Sequence, residues 1–217
     1  MTVADLLRGL PSLAGPLPAF DPADAPSDPD ELFGTWLSDA VDAGVVEPHA
    51  LTLSTVDPVG RPSARVLILK DLADGVWHFA SSAVSRKGKE LANTPWAALT
   101  FYWPALGRQV RVRGAVGVAN AEDSARDFLA RSPSARANAL LGRQSDLLAD
   151  RAELDTALAE SLERVESAPD TVAPAWTLYH LTADEVEFWQ GDTSRKHVRV
   201  QYVREGGSHW TRELLWP

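Results

Sequence analysis

No cysteine occurs anywhere in the 217 residues. Disulfides, thiolate nucleophiles and cysteine-ligated metals are therefore excluded. Nor is there an apolar run approaching the roughly 18 residues that a membrane-spanning helix needs. Positive charge is scarce as well: Lys+Arg 21 stand against Asp+Glu 30, giving a formal net charge of -9 and a pI near 5.0. Such a field repels a polyanion and no long basic block overrides it, so nucleic acid is a poor partner. The five histidines are scattered, without the HExxH spacing of a metal site. A P-loop, a Ser-His-Asp spacing and an internal repeat are likewise missing. The N-terminus lacks the basic segment and long apolar core of a signal peptide, which makes a cytoplasmic protein the expectation.

What is present reads as one domain behind an arm. Six prolines fall between Pro11 and Pro29, mixed with Asp and Ala, so residues 1–30 are expected to form a flexible arm and residues 31–217 the ordered domain. Leu32, Phe33, Trp36, Leu37, Ala40 and Val41 recur at helical spacing ahead of Gly44, predicting an amphipathic helix over 31–44. The period then changes to two. HALTLSTV (49–56), SARVLILK (63–70), VWHFAS (76–81), WAALTFYW (96–103) and RQVRVRGAVGVA (108–119) read as strands. Their linkers DPVGRP, DLADG and PALG are too short for parallel crossovers, which favours antiparallel pairing and a sheet that curls into a barrel. Helices are expected at 85–94, 121–131 and 144–165, before strand-like TLYHL, VEFWQ, HVRVQYV and HWTRELLWP. The fold class is thus mainly β with peripheral helices.

In SARVLILK, period two places Ser63, Arg65, Leu67 and Leu69 on one face and Ala64, Val66, Ile68 and Lys70 on the other. Arg65 and Lys70 then serve either two distinct sites or two strand ends. In SRKGKEL, Arg86, Lys87 and Lys89 arrive at a helix N-terminus, where cations oppose the helix dipole unless an anion is also bound. Phosphate fits that conflict, and a solvated basic turn is the plainer alternative. RQVRVRG sets Gln109, Arg111 and Arg113 opposite valines, which suits solvent or a polar pocket equally. After the GDTS turn, Arg195, His197 and Arg199 share a face if the segment is extended. Flanking arginines disfavour imidazolium there, leaving His197 available as a neutral proton acceptor.

Taken in order, RVLILK (65–70), SRKGKEL (85–91), FYW with GRQVRVRG (101–103, 107–114), RQS (143–145), and EFWQG followed by Arg195, His197 and Arg199 resemble the pyridoxamine 5'-phosphate oxidase family. The resemblance spans residues 31–217 and implies an FMN-binding antiparallel split barrel whose flavin lies at a homodimer interface. It implies FMN contacts from Arg65, Val66, Leu67, Ile68, Ser81, Arg86, Lys87, Gln144 and Ser145, with Gln109, Trp189 and Arg199 also surrounding the flavin. Lys70 and Arg131 correspond to holders of a substrate phosphate. Arg195 and His197 correspond to the pair over the substrate ring, His197 as proton acceptor and Arg195 as orienter. FMN would accept a hydride from a small heterocyclic substrate and pass electrons to molecular oxygen.

Departures from the family pattern bear on the substrate. Asp127 and Ala135 stand where a tyrosine and a serine usually complete the substrate-phosphate site. The customary Arg-Leu-His-Asp-Arg run is here Arg195, Lys196, His197, Val198 and Arg199. Asp127 would repel a phosphate in that pocket. TPWAALTFYW and LLGRQSDLLAD are also similar to the flavin oxidases of phenazine biosynthesis, whose reduced tricyclic substrates lack a phosphate. The retained Lys70 and SRKG keep vitamin B6 5'-phosphates as the leading substrate class. A non-catalytic flavin-binding protein is the third reading.

Overall fold

Burial alternates residue by residue along β1 (Ala50–Val56), β4 (Trp96–Trp103) and β5 (Arg108–Val118), as half-buried pleated strands require. In the computed structural model, which describes residues 1–207 and 209–217, the remaining strands are β2 (Pro62–Ala73), β3 (Val76–Ser82), β6 (Trp176–Gln190), β7 (Val198–Gly206) and β8 (His209–Leu214). Hydrogen bonding follows the order β3-β2-β1-β4-β5-β6-β7-β8, and β3 also pairs with β6. The sheet thus closes into an antiparallel barrel, as the sequence pattern predicted; six strands form it, and β7 and β8 extend from β6. The helices are α1 (Val3–Arg8), α2 (Pro29–Asp42), α3 (Arg86–Asn93), α4 (Ala121–Leu129), α5 (Pro133–Leu140) and α6 (Arg151–Ser167). Among the described residues no helix is long and apolar enough to cross a membrane.

The chain divides into two units, and β1, β4, β5 and β6 contribute residues to both. The first comprises Met1–Leu51, Thr100–Val112 and Asp184–Pro217. Its core is aromatic: Phe33 lies 4.9 Å from Phe101, Trp36 meets Phe188 edge-on at 5.2 Å, and Phe188 meets Tyr202 at 5.8 Å. Arg108, only 4% exposed, stacks on Trp36 and donates to Asp39 and Gln190, so a buried cation is fully paired. The proline-rich segment packs here too: Phe20 lies edge-on to Trp36, and the Tyr202 hydroxyl donates to Pro26 O at 2.7 Å.

The second unit comprises Thr52–Leu99 and Arg113–Ala183. Its core forms where β3 meets β6, with Trp77 opposite Leu181 and Phe79 stacked on Tyr179 at 5.4 Å. Helices α5 and α6 are tied by Ser161 Oγ donating to Ala137 O at 2.8 Å.

Local features differ from the sequence reading, helix α1 within residues 1–30 among them. TLYHL and VEFWQ belong to one strand, because β6 pairs with β3 through residues 176–182 and with β7 through residues 185–190; the polar TADE marks the change of neighbour. Helix α5 is additional, started by Ser132 as N-cap and Pro133 in its first turn, and α6 begins only at Arg151, capped by Asp150. Residues 144 and 145 consequently lie in a loop between helices.

Gly114 of β5 is held so close to β6 that a Cβ there would overlap the Thr182 carbonyl. Gly114→Ala is expected to cost about 2 kcal/mol through overpacking. A thermal melt should then fall by roughly 4–8 °C.

Candidate active site

Helix α3 begins at Ser85, whose hydroxyl accepts from Gly88 N at 3.3 Å. A Cβ at Gly88 would overlap the Ala83 carbonyl, so only glycine lets the helix start flush against the preceding loop. This start places Arg86 and Lys87 in the first turn, which carries no acidic residue. One turn on, Glu90 is 4% exposed and takes three donors: Thr55 Oγ1 at 2.5 Å, Arg65 Nη2 at 3.1 Å and Arg86 Nε at 3.1 Å. Arg65 is further fixed by Thr55 Oγ1 at 2.5 Å and Ser63 Oγ at 2.8 Å. Burial pushes the Glu90 carboxyl up, but the hydrogen bonds from Thr55 and Arg65 and the Arg65 charge outweigh it and hold the group below its ordinary 4.5.

Lys87 is 7% exposed, and among the described residues its Nζ reaches only Ser85 Oγ at 3.4 Å and Gln144 Oε1 at 3.3 Å. Burial and then the Arg65 charge lower its pKa, with Glu90 offsetting part of the shift. Ser145, at a strained φ of 80°, accepts from Arg86 N at 3.3 Å. Arg65 and Arg86 thus share the Glu90 carboxylate, and Lys87 stands beside them without an ion pair among the described residues, which leaves two positive charges over at a helix N-terminus, an arrangement that could hold a dianionic phosphate.

A cavity of about 660 Å³ lies in the same unit, lined by Val66, Leu67, Ile68 and Lys70 of β2, Ser81 of β3, Arg131, Gln144 and Trp176. Lys70 Nζ pairs with Asp127 Oδ1 at 3.1 Å, and the other Asp127 oxygen accepts from Trp176 Nε1 at 2.8 Å. The Arg131 guanidinium stacks on Trp176 at 3.9 Å, and its Nη1 is shielded from water without a hydrogen-bond partner. Ala135 sits in the first turn of α5 with its amide on Ser132 Oγ, and its methyl supplies no donor.

The other unit holds a cavity of about 490 Å³ lined by Pro11–Ala14, Tyr102, Pro104, Trp189, Arg195 and His197. Here the extended-strand reading of Arg195 and His197 is corrected: β7 begins only at Val198. Both residues lie in a turn organised by Asp192, whose carboxylate accepts from Ser194 N at 2.7 Å and Lys196 N at 3.3 Å. Arg195 has φ 67°. His197 Nδ1 accepts from Asp192 N at 3.0 Å, with the ring 5.0 Å from Trp189. A neutral ring bonded this way carries its proton on Nε2 and presents a donor. Arg199, opposite Trp189 in register, is bound to Glu187 Oε1 at 2.9 Å and to Trp216 O at 2.9 Å. Gln109 is half-buried on β5.

A family model described as pyridoxamine 5'-phosphate oxidase matches residues 37–190. The chain belongs to the pyridoxamine 5'-phosphate oxidase family. A second model, the pyridoxine 5'-phosphate oxidase C-terminal dimerisation region, matches residues 176–217. The pyridoxine/pyridoxamine 5'-phosphate oxidase of Pseudomonas paraeruginosa is 43% identical over 197 residues, covering 90% of this chain and 91% of that protein. Its counterpart in Paraburkholderia phymatum is 38% identical over 217 residues, covering 100% and 99%. Among solved structures, PhzG from Burkholderia lata in complex with tetrahydrophenazine-1-carboxylic acid matches with a TM-score of 0.85 and 33% identity over 94% of this chain and 100% of that one.

Pyridoxamine 5'-phosphate oxidases bind FMN, and the α3 cluster fits the cofactor's phosphate on its own chemistry, because a buried lysine without a carboxylate needs an anion. Arg65, Arg86, Lys87, Gln144 and Ser145 are brought together there, while Val66, Leu67, Ile68 and Ser81 line the adjoining cavity. Sequence reasoning missed Glu90, Trp176, Glu187 and Asp192, the groups that hold the named residues in place. Only Glu90 left a signal, its i,i+4 spacing from Arg86.

Glu90 ties the pH dependence of stability to this cluster. Its folded pKa is depressed, so its contribution is present above about 4.5 and is lost as pH falls through the folded value. Glu90→Gln should cost about 3 kcal/mol at neutral pH. In denaturant titrations the gap from wild type should narrow as pH drops below 4.5.

Proposed function

We propose that the chain is an FMN-dependent oxidase that removes a hydride and a proton from a small heterocyclic substrate, working as a homodimer with molecular oxygen as the acceptor and hydrogen peroxide as the product. The observation that carries this reading is the surplus of two positive charges around Lys87 at the start of α3, set beside a cavity large enough for a ring system. FMN, when bound, supplies the hydride acceptor. Arg86, Lys87 and Ser145 hold its phosphate, and β2 residues Val66 to Ile68 provide an apolar wall for the ring. Arg195 orients the substrate and stabilises negative charge, and His197 presents Nε2–H to a substrate heteroatom. The proton released with the hydride passes to His197 Nδ1 when that nitrogen gives up its Asp192 contact, the acceptor role expected of this residue. The match to a dimerisation region over residues 176–217 supports the homodimer.

The relatives' names support pyridoxine or pyridoxamine 5'-phosphate as substrate. A second reading, a phosphate-free reduced tricycle like the ligand of the PhzG complex, is favoured by the Lys70–Asp127 pair.

The purified protein should be yellow and release FMN, and Lys87→Met should weaken FMN binding by about tenfold, the worth of one charge-assisted contact. A folded protein that takes up no FMN in a spectral titration contradicts the assignment. Anaerobic mixing with each substrate class, followed by bleaching of the oxidised flavin, separates an oxidase from a flavin carrier. Sedimentation at dilute concentration should show a dimer, and a flavin-loaded monomer would contradict the shared assembly.

A further inference from the structure

Lys70 reaches the larger cavity from β2, and its ammonium is already answered from within the fold. Asp127 of α4 has a side chain only 13% exposed and commits both oxygens, Oδ1 to Lys70 and Oδ2 to Trp176 Nε1. Trp176 in turn offers its ring face to Arg131. Asp127 pairs with Lys70 and acts on Arg131 only through its charge, so the two cations at this end of the cavity keep a single net positive charge, and Ala135 adds no hydrogen-bond donor. A phosphate dianion drawn to Lys70 would meet the Asp127 carboxylate at the same nitrogen. To bind, it would have to displace a charge that also fixes Trp176, and with it the stacking surface of Arg131. The arrangement at α3 is the reverse: there, among the described residues, Lys87 has no carboxylate partner and the charge surplus is two.

We propose that Asp127 is a specificity-determining residue: it occupies Lys70 as a built-in counter-ion and turns this end of the cavity against substrates bearing a phosphate dianion, in favour of phosphate-free rings. This rests on reading the cavity as the substrate pocket of an FMN-dependent oxidase.

The test is direct calorimetric binding of 4-deoxypyridoxine and its 5'-phosphate, neither of which carries the oxidisable 4'-group, to FMN-loaded wild type and Asp127→Asn. Asparagine keeps an oxygen for Trp176 Nε1 and removes only the charge; Asp127→Ser serves as a second variant, and thermal melts check that each folds. In wild type the phosphate should improve affinity by less than about threefold, and in Asp127→Asn by more than about tenfold, with the phosphate-free ligand unchanged. Adding Lys70→Met to Asp127→Asn should abolish the gain. A wild type that already prefers the phosphate tenfold, a ratio that neither variant moves, or no binding of either ligand to any of the proteins overturns the proposal. Binding is read without turnover, so failure of FMN uptake counts against the oxidase reading, while an unchanged ratio counts against Asp127 alone.

Discussion

One buried carboxylate organises the start of α3 and the strands beside it. Glu90 holds Arg65, Arg86 and Thr55 at once, and so joins β2, the start of α3 and β1 through a single charged group. A carboxylate at this depth is stable only because three donors replace its water. Without it, Arg65, Arg86 and Lys87 would repel one another and the first turn of α3 would lose its position. With it, Arg65 and Arg86 are oriented while Lys87 stays unpaired, and that imbalance gives the cluster its appetite for an anion. The same contacts therefore act in opposite senses: pairing fixes the arginines, and incomplete pairing leaves the lysine without an ion pair among the described residues.

The loops that carry the remaining site residues are fixed differently. Ser145 and Arg195 both adopt left-handed backbone conformations that cost non-glycine residues roughly 1–2 kcal/mol each. Local hydrogen bonds offset the cost. Ser145 is met by the Arg86 amide, and the turn around Arg195 is laced to the Asp192 carboxylate. Side chains set by strained turns have few alternative positions, which suits groups that must meet a ligand in one orientation.

Much of this was legible in the sequence for identifiable reasons. Period-two patterning located the barrel strands because one face of each is buried, and SRKGKEL announced a helix start with cations in the wrong place for its dipole. What escaped depends on partners distant in sequence. Asp127 reads as a missing tyrosine until Lys70 and Trp176 are seen to close on it. Glu187 reads as a strand residue until Arg111 and Arg199 are both found on its carboxylate. The GDTS turn is legible, but Arg195 to His197 read as a continuation of the strand because Val198, Val200 and Tyr202 alternate correctly, and nothing in that pattern shows where pairing begins. The contacts His197 makes, with Asp192 N and the Trp189 ring, are likewise set by the turn and not by the strand pattern.

The pairing of β3 with β6 carries a kinetic consequence. Val76 finds Thr182 and Ser82 finds Trp176 across most of the length of their unit, and every residue between must be placed or looped out before the ladder can form. Closure of so long a loop is entropically costly until the contacts form, so the ring belongs to the slow, high-contact-order class of folds. During synthesis β1 to β5 leave the ribosome before β6 exists. Until it arrives, the edge of β3 that carries Trp77 and Phe79 has no strand to cover it, and the nascent chain is at that stage most exposed to wrong pairing with its neighbours.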